Sequence, residues 1–454
     1  MAEMQTASPP RPLRAGAIRS GLSQVITAVT GALTTLLLAR ILGPAGAGAY
    51  AIALTLTLGL MTLGTLSLQN GISVLVAGGR WSPRTALVQT QYVAVALGLI
   101  AVGAGLAVFY AFPAALHGLD LRLVLIASLS VPFGLSWTFA SAVALAVDHY
   151  ELYAAPPVFQ STLGLVVLPA LAAVSGIEAV VIGLAGTQAV TAFVTVLWSA
   201  RSIARKSDYA PLEHRLGGGL RAALSLGLKT HLANVLSFFN YRLDLFILNA
   251  TASGSQVGQY SIAVSVTQAI WLMPRALNQV VTPRVAHAHG RREALGNAYL
   301  DLVEGKSLRH TTLLSVGSAL AALAALAVLV FGFLGPGFRE SFVLGLILLP
   351  GSTMLALAGA LAAVVIGRGR PEYSMWGALI TTPTAIVLYV VLVPPLNAVG
   401  AALASSISYG FGLIVAIILY NRMIGPGVLR RLVPRREDIR DYGALIPRRR
   451  RVGA

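Results

Sequence analysis

The sequence predicts an all-α polytopic membrane protein with about twelve transmembrane helices in two parallel six-helix repeats. Of its 454 residues, 56% are hydrophobic and only 11% are charged, and the mean hydropathy is +0.78. Soluble proteins carry about 25% charged residues. A single soluble core cannot bury so much apolar chain, whereas about twelve spans of ~20 residues each would use it.

Apolar runs separated by short turns place the spans. Many of the turns carry helix-breaking residues, such as Gly43-Pro44, Ser175-Gly176 and Pro394-Pro395. The predicted spans are 16–39, 48–76, 86–109, 122–147, 155–174, 178–200, 222–249, 258–283, 309–331, 341–367, 374–393 and 397–420. The first span is expected to stay in the membrane, because the polar stretch before it lacks the apolar core of a signal peptide.

The distribution of basic residues sets the predicted orientation. Most of the 33 Lys and Arg residues fall in the two tails and in the loops that lead from even to odd spans. The opposite loops hold only Arg40, Arg122 and Arg339. The positive-inside rule therefore places both termini in the cytoplasm. The net charge of +17 is then mainly a topology signal, not a sign of nucleic-acid binding. The Arg-rich tail after residue 420 either contacts anionic lipid or is simply solvated.

Enzymatic and metal chemistry find no support in the sequence. The chain has no cysteine, which excludes disulfides and Cys-ligated metals. Gly305-Lys306-Ser307 resembles the end of a phosphate loop, but Leu300 stands where that motif needs glycine. His287 and His289 lie in a predicted loop and are not expected to hold a metal. We predict no enzyme activity, no cofactor and no metal.

Two neighbouring spans, 222–249 and 258–283, carry polar side chains that a bilayer does not normally tolerate. At 100° per residue these side chains form one stripe on each helix. The first stripe contains His231, Asn234, Phe238, Tyr241, Arg242 and Asn249, and the second contains Ser261, Gln268, Trp271, Arg275, Gln279 and Thr282. Lys229 is a further candidate in the first of these spans. Intramembrane cations usually face water or a partner, so we predict a hydrated lumen for an anionic group. The alternative is that these residues join helices by hydrogen bonds.

A weak internal repeat relates the two halves of the chain. A shift of 210 residues aligns Gln24 with Asn234, Gly48 with Gly258, Tyr50 with Tyr260 and Gln69 with Gln279. Parallel repeats place a substrate site at their interface, so Gln24 and Gln69 join the candidate lumen residues. The Gly-x-Tyr copies after the first outer turn of each half are candidate gates. The predicted division is tail 1–15, lobe 16–200, linker 201–221, lobe 222–420 and basic tail 421–454.

Asp244 is the sole carboxylate in the interior of a predicted span, since Glu178 is the first residue of span 178–200. It lies 200° around the helix from Arg242, so the two side chains do not share a face. It is a candidate coupling site that takes up a proton, and the alternative is a structural partner of a neighbouring helix.

Two hairpin motifs resemble those of Wzx-type oligosaccharide flippases in the multidrug/oligosaccharidyl-lipid/polysaccharide (MOP) exporter superfamily. The first is Leu38-Ala39-Arg40-Ile41-Leu42-Gly43-Pro44 leading to Gly48-Ala49-Tyr50. The second is Asn240-Tyr241-Arg242-Leu243-Asp244 with Gly258-Gln259-Tyr260-Ser261 and Leu272-Met273-Pro274-Arg275.

The resemblance implies a V-shaped bundle in a bacterial inner membrane. It also implies alternating access and a substrate of oligosaccharide on undecaprenyl pyrophosphate, with Arg242 and Arg275 as its cations. Expected partners are this substrate, membrane lipids and other polysaccharide-assembly proteins. Lipid II is disfavoured as the substrate, because its flippases usually carry two further spans and more arginines. The alternatives are a multidrug exporter of the superfamily, a non-transporting scaffold of polysaccharide assembly, and a membrane-embedded glycan polymerase or ligase.

Overall fold

The computed structural model describes residues 13–204, 217–370 and 372–438, and this part of the chain is helical without a strand. Short 3₁₀ turns and one π-helical stretch, Val328–Leu334, interrupt the α-helices. The α-helices are α1 (Leu13–Gly64), α2 (Leu68–Ala77), α3 (Pro83–Ala111), α4 (Leu121–Leu129), α5 (Val131–Ala146), α6 (Tyr150–Ala204), α7 (Gly218–Thr251), α8 (Gly254–Gln268), α9 (Leu272–Gly290), α10 (Arg292–Leu295), α11 (Asn297–Ala327), α12 (Arg339–Gly367), α13 (Glu372–Met423) and α14 (Val428–Leu432).

The helices agree with about twelve spans. In the described residues, seven continuous helical stretches are long and apolar enough to cross a membrane. Three of them contain a backbone break that divides one stretch into two spans: Gly43 in α1, Ser175-Gly176 in α6 and Asn397 in α13. Helix α7 and the α8–α9 pair supply the remaining two spans, and their polar stripes explain why hydropathy alone does not select them. The sequence-based fold class is confirmed.

Glycine makes two of these breaks possible. Gly43 has a φ of 69° and Gly176 a φ of 67°, a left-handed conformation that residues with a Cβ rarely adopt. The turns were predicted at these positions from Gly43-Pro44 and Ser175-Gly176. The last break differs slightly from the prediction, because the chain turns at Asn397, not at the preceding proline pair. Asparagine tolerates that conformation better than most residues do.

The described chain forms two compact units, Met1–Val235 and Leu236–Ala454. Helix α7 contributes its first half to the first unit and its second half to the second unit. In the first unit α1 packs mainly on α6, and in the second α12 packs mainly on α13. The predicted linker 201–221 falls largely on residues 205–216, and the predicted tail 1–15 largely on 1–12, which lie outside the described residues. The sequence-based lobe boundaries stay a prediction.

Small residues allow close helix contacts inside the first unit. A Cβ on Gly71 of α2 would lie 2.1 Å from the backbone oxygen of Ala223 on α7. Large apolar side chains point outward instead, such as Val174, which is 84% exposed, and Tyr110, which is 70% exposed. Close backbone approach through small residues and an apolar exterior are what a lipid environment requires.

The beginning of the C-terminal tail is folded onto the second unit. Val428 and Leu432 of α14 are buried in an apolar cluster with Tyr420 and Leu308. Arg431 on the same helix bonds Glu304 of α11, which is fully buried. The predicted tail 421–454 is therefore not uniformly solvated, because its first residues complete the packing of α11. Residues 439–454 lie outside the described part.

Candidate functional site

A cavity of about 290 Å³ lies inside the second unit. Helices α7, α9, α12 and α13 supply its walls. Its polar lining comes from Ser237, Asn240, Tyr241, Arg275, Asn278, Tyr373, Thr381 and Thr382, and the rest is Trp271 with small and apolar residues. Ligand pockets begin at roughly 300 Å³, so this volume suits a sugar ring or a diphosphate, not a whole oligosaccharide.

A break between α8 and α9 positions the cationic side of the cavity. The chain forms a 3₁₀ turn at Ala269–Trp271, and α9 starts again with Pro274 in its first turn. Trp271 is held by a hydrogen bond from its indole nitrogen to the Ser352 carbonyl at 3.1 Å. The Arg275 guanidinium lies 5.1 Å from the centre of the Trp271 ring. Four residues separate the two, which places them on one helix face.

Two tyrosine rings pack against the tryptophan over which the Arg275 guanidinium lies. The ring centres of Tyr241 and Trp271 lie 5.7 Å apart, and those of Trp271 and Tyr409 lie 6.1 Å apart. All three belong to one buried cluster, so the indole face is rigid. Arg275 itself is exposed. A cation–π contact at this distance orients a guanidinium without neutralising its charge.

Three buried oxygen atoms around the cavity have no hydrogen-bond partner among the described residues. They are Asn240 Oδ1, Asn278 Oδ1 and Thr382 Oγ1. Buried polar atoms are normally paired, and an unpaired one is often a place for a ligand or water. Each of these three can accept a hydrogen bond from a hydroxyl group. The cavity therefore combines one cation, several acceptors and an aromatic face.

The electrostatic character of the cavity is positive. Arg275 is the sole ionisable charge among its lining residues, and no carboxylate belongs to that lining. Among the described residues, no group of three His, Asp or Glu side chains could hold a metal ion. The arrangement favours an anion that also carries hydroxyl groups.

Several predicted lumen residues lie in the first unit instead. His231 Nδ1 is 3.4 Å from Ser67 Oγ, and the Asn234 amide donates to the same oxygen at 2.8 Å. Ser67 sits where α1 ends and α2 begins, with a φ of 51°. His231 and Asn234 thus belong to the first unit and Arg275 to the second, and one lumen shared by all three stays a prediction. Their contact with substrate stays a prediction.

The remaining lumen candidates vary in exposure. Lys229, Gln24 and Gln279 are exposed, and Arg242, Gln69 and Gln268 are half-buried. The buried side-chain oxygen of Gln69 has no partner among the described residues. Asn249 and Ser261, which the stripes also included, are buried to 3% and 6% exposure. These two side chains therefore do not face open water.

Asp244 is buried with a set of hydroxyl groups. The Tyr260 hydroxyl donates to Asp244 Oδ2 at 2.6 Å, and the Leu245 amide donates to Oδ1 at 2.8 Å. Tyr260, which was predicted as a gate residue, is thus a hydrogen-bond donor to the Asp244 carboxylate. Its counterpart Tyr50 lies in an apolar cluster with Leu38 and Leu168. Gly48 and Gly258 are buried within helices, and a gating role for the two copies stays a prediction.

The family model of polysaccharide biosynthesis proteins matches residues 37–343. The chain belongs to this family. A search among curated protein sequences gave no match. The family match covers both hairpins from which the flippase resemblance was drawn.

Solved structures similar to this polysaccharide biosynthesis protein are transporters of the MOP superfamily. The inward closed form of the lipid II flippase MurJ has a TM-score of 0.70 at 16% identity, with 91% of this chain and 89% of MurJ covered. An inward-facing multidrug resistance MATE transporter has a TM-score of 0.66 at 16% identity, with 89% and 97% covered. A MOP transporter from Pyrococcus furiosus has a TM-score of 0.60 at 14% identity, with 90% and 95% covered. The likeness of fold to transporters of this superfamily, which the hairpins predicted, is confirmed.

The sequence analysis predicted the residues on one side of the cavity of this family member, but not those on the other side. Tyr241, Trp271 and Arg275 were predicted, because arginine and aromatic residues at helical spacing stand out in an apolar span. Asn278 and Thr382 were not predicted, since an amide or hydroxyl in a membrane helix gives no signal of its own. Ser405 and Tyr389 were missed for the same reason.

Proposed function

We propose that this protein moves a lipid-linked oligosaccharide, a polysaccharide precursor on undecaprenyl pyrophosphate, from the inner to the outer leaflet. Arg275 binds the diphosphate or an acidic sugar of that substrate. One observation carries the proposal: Arg275 is an exposed guanidinium on a fixed indole face in a cavity whose lining has no carboxylate. A multidrug exporter that takes cationic substrates would need the opposite charge there.

The rest of the lining suits the polar part of such a substrate. Asn240, Asn278 and Thr382 offer acceptors for sugar hydroxyls. A guanidinium pairs with phosphate through two parallel hydrogen bonds, and these are strong where water is scarce. The related MurJ is named a lipid II flippase, which supports a lipid-linked substrate for a protein of the same fold.

The other predicted residues complete a path for this substrate. We propose that Arg242 and Lys229 contact the anion at other stages of alternating access, since both lie on α7 beyond the cavity. Gln24, Gln69, Gln268 and Gln279 offer amides to the glycan along the same path.

Reconstitution with a defined substrate tests the proposal. Flipping of undecaprenyl-pyrophosphate oligosaccharide is measured in proteoliposomes for Arg275→Ala, Arg275→Lys and Arg422→Ala. A charge-assisted contact is worth ~1.5–3 kcal/mol, so Arg275→Ala should lower apparent affinity about tenfold to a hundredfold. Arg275→Lys should recover part of this, because it keeps the charge but not the paired geometry. Arg422, exposed at the end of α13, is the control.

Three results would contradict the proposal. Normal flipping by Arg275→Ala would remove this residue from the site. Transport of a lipophilic cation, unchanged by Arg275→Ala and without any glycan flipping, would favour the multidrug exporter. Absence of any transport would favour a scaffold.

We propose that both termini face the cytoplasm of a bacterial inner membrane. The chain has no cysteine, so single cysteines can report the side. Ser253→Cys, ahead of α8, should react with an impermeant reagent from outside. Glu293→Cys, in α10, should react only after permeabilisation. The reverse pattern would overturn the orientation.

A further inference from the structure

A line of buried hydroxyl groups lies beside the cavity, and the transport proposal uses none of it. Tyr260 Oη is 2.6 Å from Asp244 Oδ2 and 3.0 Å from Ser405 Oγ. Ser405 Oγ is 3.1 Å from Tyr389 Oη, and Tyr389 Oη is 3.5 Å from the backbone oxygen of Asn240. The line begins and ends on α7 and passes through α8 and both halves of α13.

The carboxylate at the start of the line is isolated from cations. Asp244 is 2% exposed, and Tyr260 and Tyr389 are fully buried. No ion pair to Asp244 occurs in the described part of the chain. The charged and titratable groups around it are Arg242 on its own helix, Tyr260 on α8, and Tyr389 and Tyr409 on α13. A buried carboxylate with two hydrogen-bond donors and no counter-ion is costly when ionised, so a proton is the ligand that suits it.

The line has two complete hydrogen-bond arrangements. When Asp244 is ionised, Tyr389 donates to Ser405, Ser405 donates to Tyr260, and Tyr260 donates to the carboxylate. When one proton is added to Oδ2, the acid donates to Tyr260 and every following hydroxyl turns to donate away from it. Tyr389 then needs an acceptor outside the line, and the Asn240 carbonyl at 3.5 Å is that acceptor. Carbonyl oxygens have two lone pairs, so the helical bond of α7 can remain.

We propose that Asp244 binds and releases a proton, and that its protonation reverses the hydroxyl line Tyr260–Ser405–Tyr389 and turns Tyr389 onto the Asn240 carbonyl. Only the proton is added, and no other covalent bond forms or breaks. The two states differ in whether the half of α13 before Asn397 donates a hydrogen bond to α7. In the protonated state the half of α13 before Asn397 gains a bond to α7.

The line belongs to the second repeat alone. The shift of 210 residues places Thr34 at the position of Asp244, and Ala179 at the position of Tyr389. Thr34 bonds the carbonyl of Thr30 in its own helix. A second observation links the line to the cavity: Asn240 provides the last acceptor with its backbone, and its side chain lines the cavity. Protonation of Asp244 therefore acts beside the proposed substrate site.

Infrared difference spectroscopy tests this proposal on the full-length protein in liposomes. Spectra taken across a pH series should show, beside the bands of the other Asp and Glu side chains, one carboxylic acid C=O component that grows in acid and is lost in Asp244→Asn. Asp438→Asn is the matched control, because Asp438 is equally buried but pairs with Arg309. That control should retain the band.

A second pair of variants tests the line itself. Tyr260→Phe removes the donor to the ionised form, so the titration midpoint should rise by about one to two pH units. Tyr373→Phe is the control, since Tyr373 is also buried but donates to the Ala416 carbonyl. It should leave the midpoint unchanged.

Two results would overturn the proposal. One is a set of pH-dependent carboxylic acid bands that is the same in Asp244→Asn as in the wild type, and the other is an equal midpoint in Tyr260→Phe and Tyr373→Phe. If Asp244→Asn does not fold, the tyrosine pair decides alone. The measurement needs no substrate, so its failure leaves the transport proposal standing, and failure of the Arg275 variants leaves the proton site standing.

Discussion

Substitution of Arg431 by alanine should release the C-terminal segment from the second unit. Arg431 Nη1 lies 3.1 Å from Glu304 Oε2, and its Nη2 lies 2.9 Å from Asp301 Oδ1. Asp301 is half exposed, so that pair contributes under about 1 kcal/mol. Glu304 is fully buried, and removing the partner of a buried charge costs about 3–5 kcal/mol.

The expected cost is below that range, because Glu304 keeps a second partner. Arg368 holds the carboxylate with two bonds of 2.5 and 2.8 Å. We therefore expect the free energy of opening this segment to fall by about 2 kcal/mol. That change corresponds to a roughly thirtyfold rise in the population of the open state.

Hydrogen exchange of the segment 428–438 measures that rise. Arg431→Ala should exchange about thirtyfold faster than the wild type at these amides. Arg430→Ala is the control, because Arg430 is the next residue on the same short helix and is exposed. Equal exchange rates in the two variants would show that α14 is held by its apolar residues alone, and the charge argument would be wrong.

Three further predictions concern the cavity, acid sensitivity and helix packing. Gly377→Phe should fill the cavity and abolish glycan flipping while Gly377→Ala preserves it, because a Cβ there meets no atom within 4 Å. Burial opposes ionisation of Asp438, but hydrogen bonds from Arg309 and from the backbone of Arg435 outweigh it and lower its pKa. The stability that this pair contributes is present above the ordinary carboxyl pKa of about 4 and is lost as the pH falls through the lowered value, so exchange at 435–438 should rise only in strong acid. Gly71→Val should lower thermal stability by about 3 kcal/mol or more, because its Cβ would lie 2.1 Å from a backbone oxygen of α7; an unchanged melting temperature would contradict this packing.

The sequence by itself determined the membrane class, the number of spans and most turns. These features depend on local properties, since an apolar run of ~20 residues inserts whatever its neighbours are. A glycine such as Gly43 turns the chain wherever its φ must be positive. The aromatic and cationic side of the cavity was also predictable, because Trp271 and Arg275 lie one helical turn apart.

Only the tertiary structure decided which polar groups meet. Tyr260 and Ser405 are 145 residues apart in the chain, and Arg431 and Glu304 are 127 apart. No period in a sequence encodes such pairs, because they arise from the packing of helices that are each specified separately. The same packing placed His231 and Asn234 at a helix break in the first unit and Tyr241, from the same stripe, at the cavity of the second unit. A helix presents its stripe in one direction per turn, but each neighbouring element covers only part of its length, so one stripe can serve two different sites.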